Sequence, residues 1–238
     1  AHREVAVKFL QLEKTDLDSN SHILLSELTK KYLDELVSKN KKIEGSDYAS
    51  LEGRVKSNLD TMSKVFDTSD SLISKQTYPQ IFYVFIKIVI RNYSFKNGKD
   101  EKLIREFLRK FEEKRILNRN LEEGERDEEF VEYGLCAMQG TNNFSGMNTR
   151  INLLLRYFVE WNISDINIRD KKRRFTGYER EYIWIRDKKK CTECGEGLSL
   201  NEMDADHIQP WTEGGPTILE NARSLCQACN RSGRYNRT

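Results

Sequence analysis

The sequence predicts a mainly helical chain that ends in a small module held together by metal. Three observations carry that expectation. Apolar residues recur at three- and four-residue spacing through the first two thirds of the chain. Only three prolines interrupt 238 residues. The last part of the chain holds two CxxC pairs, Cys191-Thr-Glu-Cys194 and Cys226-Gln-Ala-Cys229.

Taken in order, the first helix face is Val5, Phe9 and Leu12, and the second is Leu24, Leu28, Tyr32 and Leu36. A third runs through Leu51, Val55, Leu59, Met62 and Phe66. Tyr78-Pro79 opens the most hydrophobic stretch, Ile81 to Ile90. Lys87 interrupts it and it is too short to cross a bilayer, which predicts a buried central helix, with a strand as the alternative. Leu103, Phe107 and Phe111, then Phe130, Val131 and Leu135, then Ile151, Leu154, Leu155 and Phe158 complete a set of about seven helices. Polar or glycine-containing breaks separate them at Asp16–Ser21, Lys39–Ser46, Asp67–Gln76, Asn97–Asp100, Asn118–Glu125 and Gly140–Gly146. Apolar periodicity stops and basic residues begin between Asn162 and Arg174, so the expected domains are 1–165, all helical, and 166–238. A helical domain of about 160 residues can bury one adequate core.

The terminal module is rich in charge and poor in long apolar runs. Four thiolates make a complete tetrahedral shell for a structural zinc, which stabilises a fold too small to build its own core. The alternative is a pair of disulfides, but the chain offers no other cysteine framework and no signal peptide. The fifth cysteine, Cys136, lies beside Leu135 and Met138 and reads as a buried small hydrophobe. Between the CxxC pairs, Asp204-Ala-Asp206-His207 precedes the strand-like Ile208, and Pro210 ends the strand. His207 is the only histidine after His22, so imidazole chemistry in this module falls on it. In a strand Asp206 and His207 point to opposite faces, and both serve one site only if the chain bends or the site lies at the strand end.

The run Cys-Thr-Glu-Cys, Asp-Ala-Asp-His-Ile-Gln-Pro-Trp, Glu-Gly-Gly-Pro-Thr, Leu-Glu-Asn-Ala-Arg-Ser-Leu-Cys-Gln-Ala-Cys-Asn-Arg-Ser-Gly-Arg, within Phe175 to Arg234, resembles the zinc-bearing HNH endonucleases. The resemblance implies a small ββα-metal domain that supplies the bend. It implies that Asp206 and Asn230 hold a catalytic divalent cation and that His207 is the general base. It also implies that Asn221 fixes the loop carrying the base. Many members carry histidine where Asn230 stands; asparagine occurs there too, including in the HNH domain of RNA-guided CRISPR nucleases. Oxygen ligands favour magnesium or manganese over softer metals, while a neutral imidazole, with a free pKa of about 6.5, accepts a proton at physiological pH.

Ahead of the first CxxC pair, Arg169 to Lys190 holds ten basic residues against four acidic ones, although the whole chain is only +2. Such a run is either a solvated face or a phosphate-binding strip. Beside a cutting site the second reading is favoured, with Arg173, Arg174, Arg186, Lys188, Lys189 and Lys190 as the DNA contacts. Tyr178, Tyr182 and Ile185 at helical spacing are expected to pack this segment's helix onto the module.

The helical part, on Arg3 to Leu10, the Tyr78-Pro79 helix and Ile151 to Phe158, resembles the back half of bacterial restriction and phage-defence proteins whose front domain is ParB-like. That front domain's motif is absent, and the chain starts inside a helix without a methionine. The expectation is a C-terminal fragment of a longer protein whose partners are DNA and either a missing N-terminal regulatory domain or other defence-system proteins. Two functions follow: a metal-dependent DNA endonuclease of a restriction or anti-phage system, or a non-catalytic nucleic-acid-binding zinc module that recruits another enzyme. Asp206, His207 and Asn230 together favour the first. No membrane span or export signal is present, and thiolates for zinc require a reducing compartment, which points to the cytoplasm.

Overall fold

The computed structural model describes residues 2–18, 28–39, 46–67, 70–74, 78–96 and 100–232. Leu24, most of the expected breaks before Asp100, and Gly233 with Arg234 lie outside them, as does the side chain of Leu36. The protein is mainly helical and divides into two compact units, residues 1–91 with 99–164 and residues 92–98 with 165–238.

The first unit is built from α1 (His2–Asp18), α2 (Lys30–Lys39), α3 (Ser46–Val65), α4 (Pro79–Asn92), α5 (Asp100–Arg119), α6 (Glu128–Gln139) and α7 (Phe144–Asn162). The hydrophobic run is helix α4, and it is buried nearly all round: Ile81, Phe82, Tyr83, Val84, Phe85, Ile86 and Val89 are all enclosed. Each such side chain contributes about 1.5–3 kcal/mol by leaving water. Phe85 meets Phe107 and Phe158 with ring centroids 5.6 and 5.7 Å apart, and Phe9 stacks on Tyr83 at 4.4 Å. Lys87 fits this setting because its Nζ donates to Glu13 Oε2 at 2.8 Å. Tyr83 Oη and Asn58 Nδ2 donate to Glu13 Oε1 at 2.6 and 2.7 Å. A carboxylate this deep is tolerable only when every lone pair it turns inward meets a donor.

Three helix faces differ from those expected. On α2 it is Leu33 that is buried while Tyr32 is exposed, on α3 Leu59 is exposed while Met62 and Val65 are buried, and on α6 Phe130 and Tyr133 are buried while Val131 and Leu135 face out. Cys136 is half-buried. The start of α6 is fixed by Asn118, whose amide both donates to Asp127 O and accepts from Asp127 N, with the Asp127 carboxylate then capping the helix at Glu129 N. No helix among the described residues is long and apolar enough to cross a membrane.

The second unit begins with a strand that sequence periodicity gave no sign of. β1 (Tyr93–Phe95) pairs antiparallel with β2 (Ile166–Ile168), Tyr93 opposite Ile168 and Phe95 opposite Ile166. α8 (Gly177–Arg186) follows, entered through a capping box in which Thr176 and Glu179 satisfy each other's backbone N–H. Then come β3 (Met203–His207), β4 (Ala222–Cys226) and α9 (Gln227–Ser232). β3 and β4 are antiparallel, with Met203 opposite Cys226 and Asp206 opposite Arg223. The apolar interior is small: Cys191, Leu198, Met203, Leu225 and Cys226 in one cluster, Phe175, Ile183 and Ala222 in the other. α8 faces them with Ile183 and Trp184, while Tyr178, Tyr182 and Ile185 are exposed. The expected packing face is therefore the opposite one, because α8 carries apolar residues on both sides.

Candidate functional site

The first CxxC pair sits on a tight turn. Cys191 N donates to Glu196 O at 2.8 Å and Gly195 N returns to Cys191 O at 2.9 Å, with Gly195 at φ +77°. The second pair straddles a junction, since β4 ends at Cys226 and Cys229 lies within α9. Thr192 ties the two together by donating through N and Oγ1 to Ser224 O at 2.9 and 3.0 Å. The result brings all four Sγ atoms within 4.8 Å of one another, the one group of three or more His, Cys, Asp or Glu ligands among the described residues so disposed. A tetrahedral zinc with Zn–S of about 2.3 Å would need S···S near 3.8 Å, and Cys194 Sγ lies 3.9 Å from Cys226 Sγ. All four are free thiols, gathered about one point as a metal requires. Burial pushes Cys191 up, but the backbone amides of Cys194, Cys226 and Glu193 outweigh it and bring it to about 6. Cys229 is pushed up to about 12, chiefly by its bond with Cys226. Without a cation the four cannot all be thiolates; the donor set fits one.

β3 alternates as a half-buried strand should, with Met203 and Ala205 turned to the core and Asp204 and Asp206 turned away. The Arg223 guanidinium, directly across the ladder, donates through Nε and Nη2 to Asp206 Oδ2 at 3.1 and 2.9 Å. Asn230, one residue past Cys229 on α9, donates through Nδ2 to Asp204 Oδ2 at 3.0 Å. Asn230 thus joins the acidic face of β3 through Asp204, and no hydrogen bond links it to Asp206. Asp206 Oδ1 and Asn230 Oδ1 accept no hydrogen bond among the described residues. This carboxylate and carboxamide set is hard-oxygen chemistry, the kind magnesium or manganese takes. Sequence reasoning gave no role to Asp204 or Arg223. Asp204 had a visible signal, since it lies two positions from Asp206 on the same strand face, whereas Arg223 needed the hairpin register.

His207 closes β3, and Ile208 already leaves the strand with its N–H on Asn221 O at 2.9 Å. The ladder runs unbroken through Asp206 and His207, which therefore project to opposite faces, so a site that uses both lies at the end of β3. His207 Nε2 lies 2.9 Å from Thr217 Oγ1, and the ring packs at 4.8 Å from that of Phe175. Burial holds the imidazole below its ordinary value, Arg173 pushes the same way, and the carboxylates of Asp206 and Asp170 oppose them. Asn221 turns its side chain to the backbone: Oδ1 accepts from Gln209 N at 2.8 Å, while Nδ2 donates to Gln209 O at 3.1 Å and Pro216 O at 2.8 Å. One amide therefore ties both ends of the loop from Gln209 to Pro216.

Gly215 is what lets that loop close. A Cβ there would stand 1.9 Å from Gln209 O and 2.9 Å from Asn221 Nδ2. Gly215→Ala is expected to destabilise the second unit by about 1–3 kcal/mol, the usual cost of forced overpacking, as a lower melting temperature for that unit. An unchanged melting curve would show that the loop has room to shift.

The basic residues divide. Arg186 is occupied internally, its Nη1 on Leu219 O and Nη2 on Ala222 O, both at 2.6 Å, with Nε on Asp187. Arg173 lies over the Trp211 ring at 5.2 Å and Arg169 at 5.1 Å, while Trp211 Nε1 donates to Asp170 O. Lys189 lies over Trp184 at 4.7 Å. Lys188 and Lys189 adopt left-handed φ of 58° and 59° in the turn after α8. Arg174, Lys188 and Lys190 are exposed.

The HNH endonuclease family model matches residues 191–233, from the first thiolate to just past Asn230. The match makes nuclease or DNA-binding activity the class to which this segment points. No curated protein and no solved structure matches the chain.

Proposed function

We propose that this protein is a metal-dependent endonuclease that hydrolyses DNA phosphodiester bonds. His207 acts as general base, Asp206 and Asn230 hold Mg2+ or Mn2+, and Cys191, Cys194, Cys226 and Cys229 hold a structural zinc. The observation that carries the reading is Asn230 bound to the acidic face of β3, the strand that ends in the imidazole of His207. His207 takes a proton from water as the oxygen bonds to phosphorus, and the bond to the 3′ oxygen breaks, leaving a 5′ phosphate and a 3′ oxygen that takes a proton from solvent water. A divalent cation in this site supplies charge stabilisation at the leaving oxygen. Asn221 acts through the backbone of the loop, and Arg223 holds the Asp206 carboxylate in place through Oδ2, leaving Oδ1 for a ligand role. The fit of four thiolates to zinc supports a reducing, cytoplasmic setting. The helical unit's resemblance to restriction and phage-defence proteins supports a place in such a system.

The test is cleavage of plasmid DNA against magnesium concentration. Asp206→Ala and Asn230→Ala should each raise the magnesium needed, since each removes one of few protein ligands; absence of metal-dependent cleavage by the unaltered protein would sink the reading. Arg223 already paired to Asp206 is the observation that favours the rival, a non-catalytic nucleic-acid-binding module, and that module would bind DNA without cutting it.

The proposed DNA-backbone contacts are Arg173, Arg174, Lys188, Lys189 and Lys190, with Arg186 reassigned to the scaffold. Neutralising Lys188, Lys189 and Lys190 together should weaken binding to all sequences alike. It should also flatten the salt dependence by a slope of up to about three, one for each phosphate that a lysine no longer neutralises. An unchanged slope would make them a solvated face.

A further inference from the structure

We infer that Thr217 is a positioning residue for His207, one that fixes the imidazole with its proton on Nε2 and leaves Nδ1 to accept the proton from water. The inference rests on the reading of His207 as general base. Among the described residues Thr217 Oγ1 meets His207 Nε2 at 2.9 Å and the Lys172 carbonyl oxygen, with the Asp170 carboxylate beside it. Carbonyl and carboxylate only accept, so the one hydroxyl proton is directed at them and away from His207. The oxygen then faces His207 with a lone pair, and in the neutral ring Nε2 must donate. Nδ1 is left bare.

The relay is held rigidly. Thr217 is 2% exposed. Its backbone N–H donates to Asp170 Oδ2 at 2.7 Å, and Asp170 Oδ1 accepts from Lys172 N at 2.9 Å. Asp170 therefore sets both the threonine and the Lys172 carbonyl that accepts from its hydroxyl. Trp211 Nε1 secures the same strap through Asp170 O at 2.9 Å, and Phe175 lies against the imidazole ring. Thr217 lies within the matched residues 191–233, but Asp170, Lys172 and Phe175, which hold it and the imidazole ring, all precede them. Only a side chain with both a donor and an acceptor on one atom can fill the place of Thr217; serine can, valine cannot.

The test reads the tautomer directly. Long-range proton–nitrogen correlation spectra at about pH 8, where the ring is neutral, should show His207 protonated at Nε2, the signal being assigned by its absence from His207→Ala. Thr217→Ser should keep that tautomer and cleave within about threefold of the unaltered protein. Thr217→Val should lose the preference and slow cleavage roughly 10–100-fold, the range seen when the hydrogen-bond partner that orients a metal-bound histidine is removed, with KM for DNA and zinc content unchanged. A native spectrum with the proton on Nδ1 overturns the inference, whether or not the valine variant folds. So does a Thr217→Val protein with native tautomer and rate. Failure of the nuclease reading looks different: the unaltered protein would not cut DNA, while the tautomer would still be Nε2–H.

Discussion

His207→Ala is expected to lose most DNA cleavage, about 100- to 10,000-fold, while binding DNA and zinc as the unaltered protein does. That range is what a positioned general base contributes. The structure gives reasons to expect the loss to be clean. Among the described residues the imidazole makes one polar contact, to Thr217 Oγ1, and one ring contact, to Phe175, at the end of β3. Neither the cysteine cluster nor the Asn221 clamp on the loop uses its side chain. Rate measured against magnesium separates it from Asp206→Ala and Asn230→Ala, whose deficits should shrink as metal is raised. A His207→Ala protein that cuts at the native rate at any metal concentration would be decisive against the mechanism. Asn221→Ala should also slow cleavage, with little change in metal demand, because it frees Gln209 and Pro216 rather than a ligand.

Removing zinc is expected to unfold the second unit before the first. Structural zinc in small domains contributes on the order of 10–16 kcal/mol at neutral pH, against a whole-domain stability of roughly 5–15 kcal/mol. Two small clusters, centred on Met203 and Ile183, are a thin substitute. The helical unit has its own interior around α4 and should keep its transition. Metal analysis should find about one zinc per chain, and strong chelation should abolish only the transition of the second unit, as should Cys226→Ser. Both transitions surviving chelation would remove the zinc from the account.

What could be read from the sequence was whatever lies close along the chain. Cys191 with Cys194 and Cys226 with Cys229 each sit within one turn, so their clustering needed only the two pairs to meet. The long faces of α1, α4 and α7 were legible because many residues repeat one period. α8 misled because Tyr178, Tyr182 and Ile185 make as regular a stripe as the buried side, and α6 did so because Val131 and Leu135 mimic a core face beside Phe130 and Tyr133. The partners of the site residues were out of reach. Arg223 meets Asp206, and Asn230 meets Asp204, only because β3 and β4 pair in one register. The strap that holds Thr217 is joined to it by a separation of 47 residues. Three-residue strands such as β1 carry no period at all.

β1 bears on how such a protein can be assembled or rearranged. The terminal unit is not a cassette: its first strand is encoded ahead of α5, α6 and α7, and its second comes after them. A transplant starting at Asp165 would carry β2 without its ladder partner and expose an unpaired strand edge, a known route to aggregation. It would also remove Ser94, whose hydroxyl sits where a side chain at Gly214 would project, at 2.6 Å from that position. On a ribosome the same order means that the unit can close only after the three intervening helices have emerged. Recombination that swaps nuclease tails between genes would therefore keep both strands of this ladder only when the crossover lies before Asn92, where it divides the helical unit instead, and leave a frayed graft when it lies anywhere between there and Ile166.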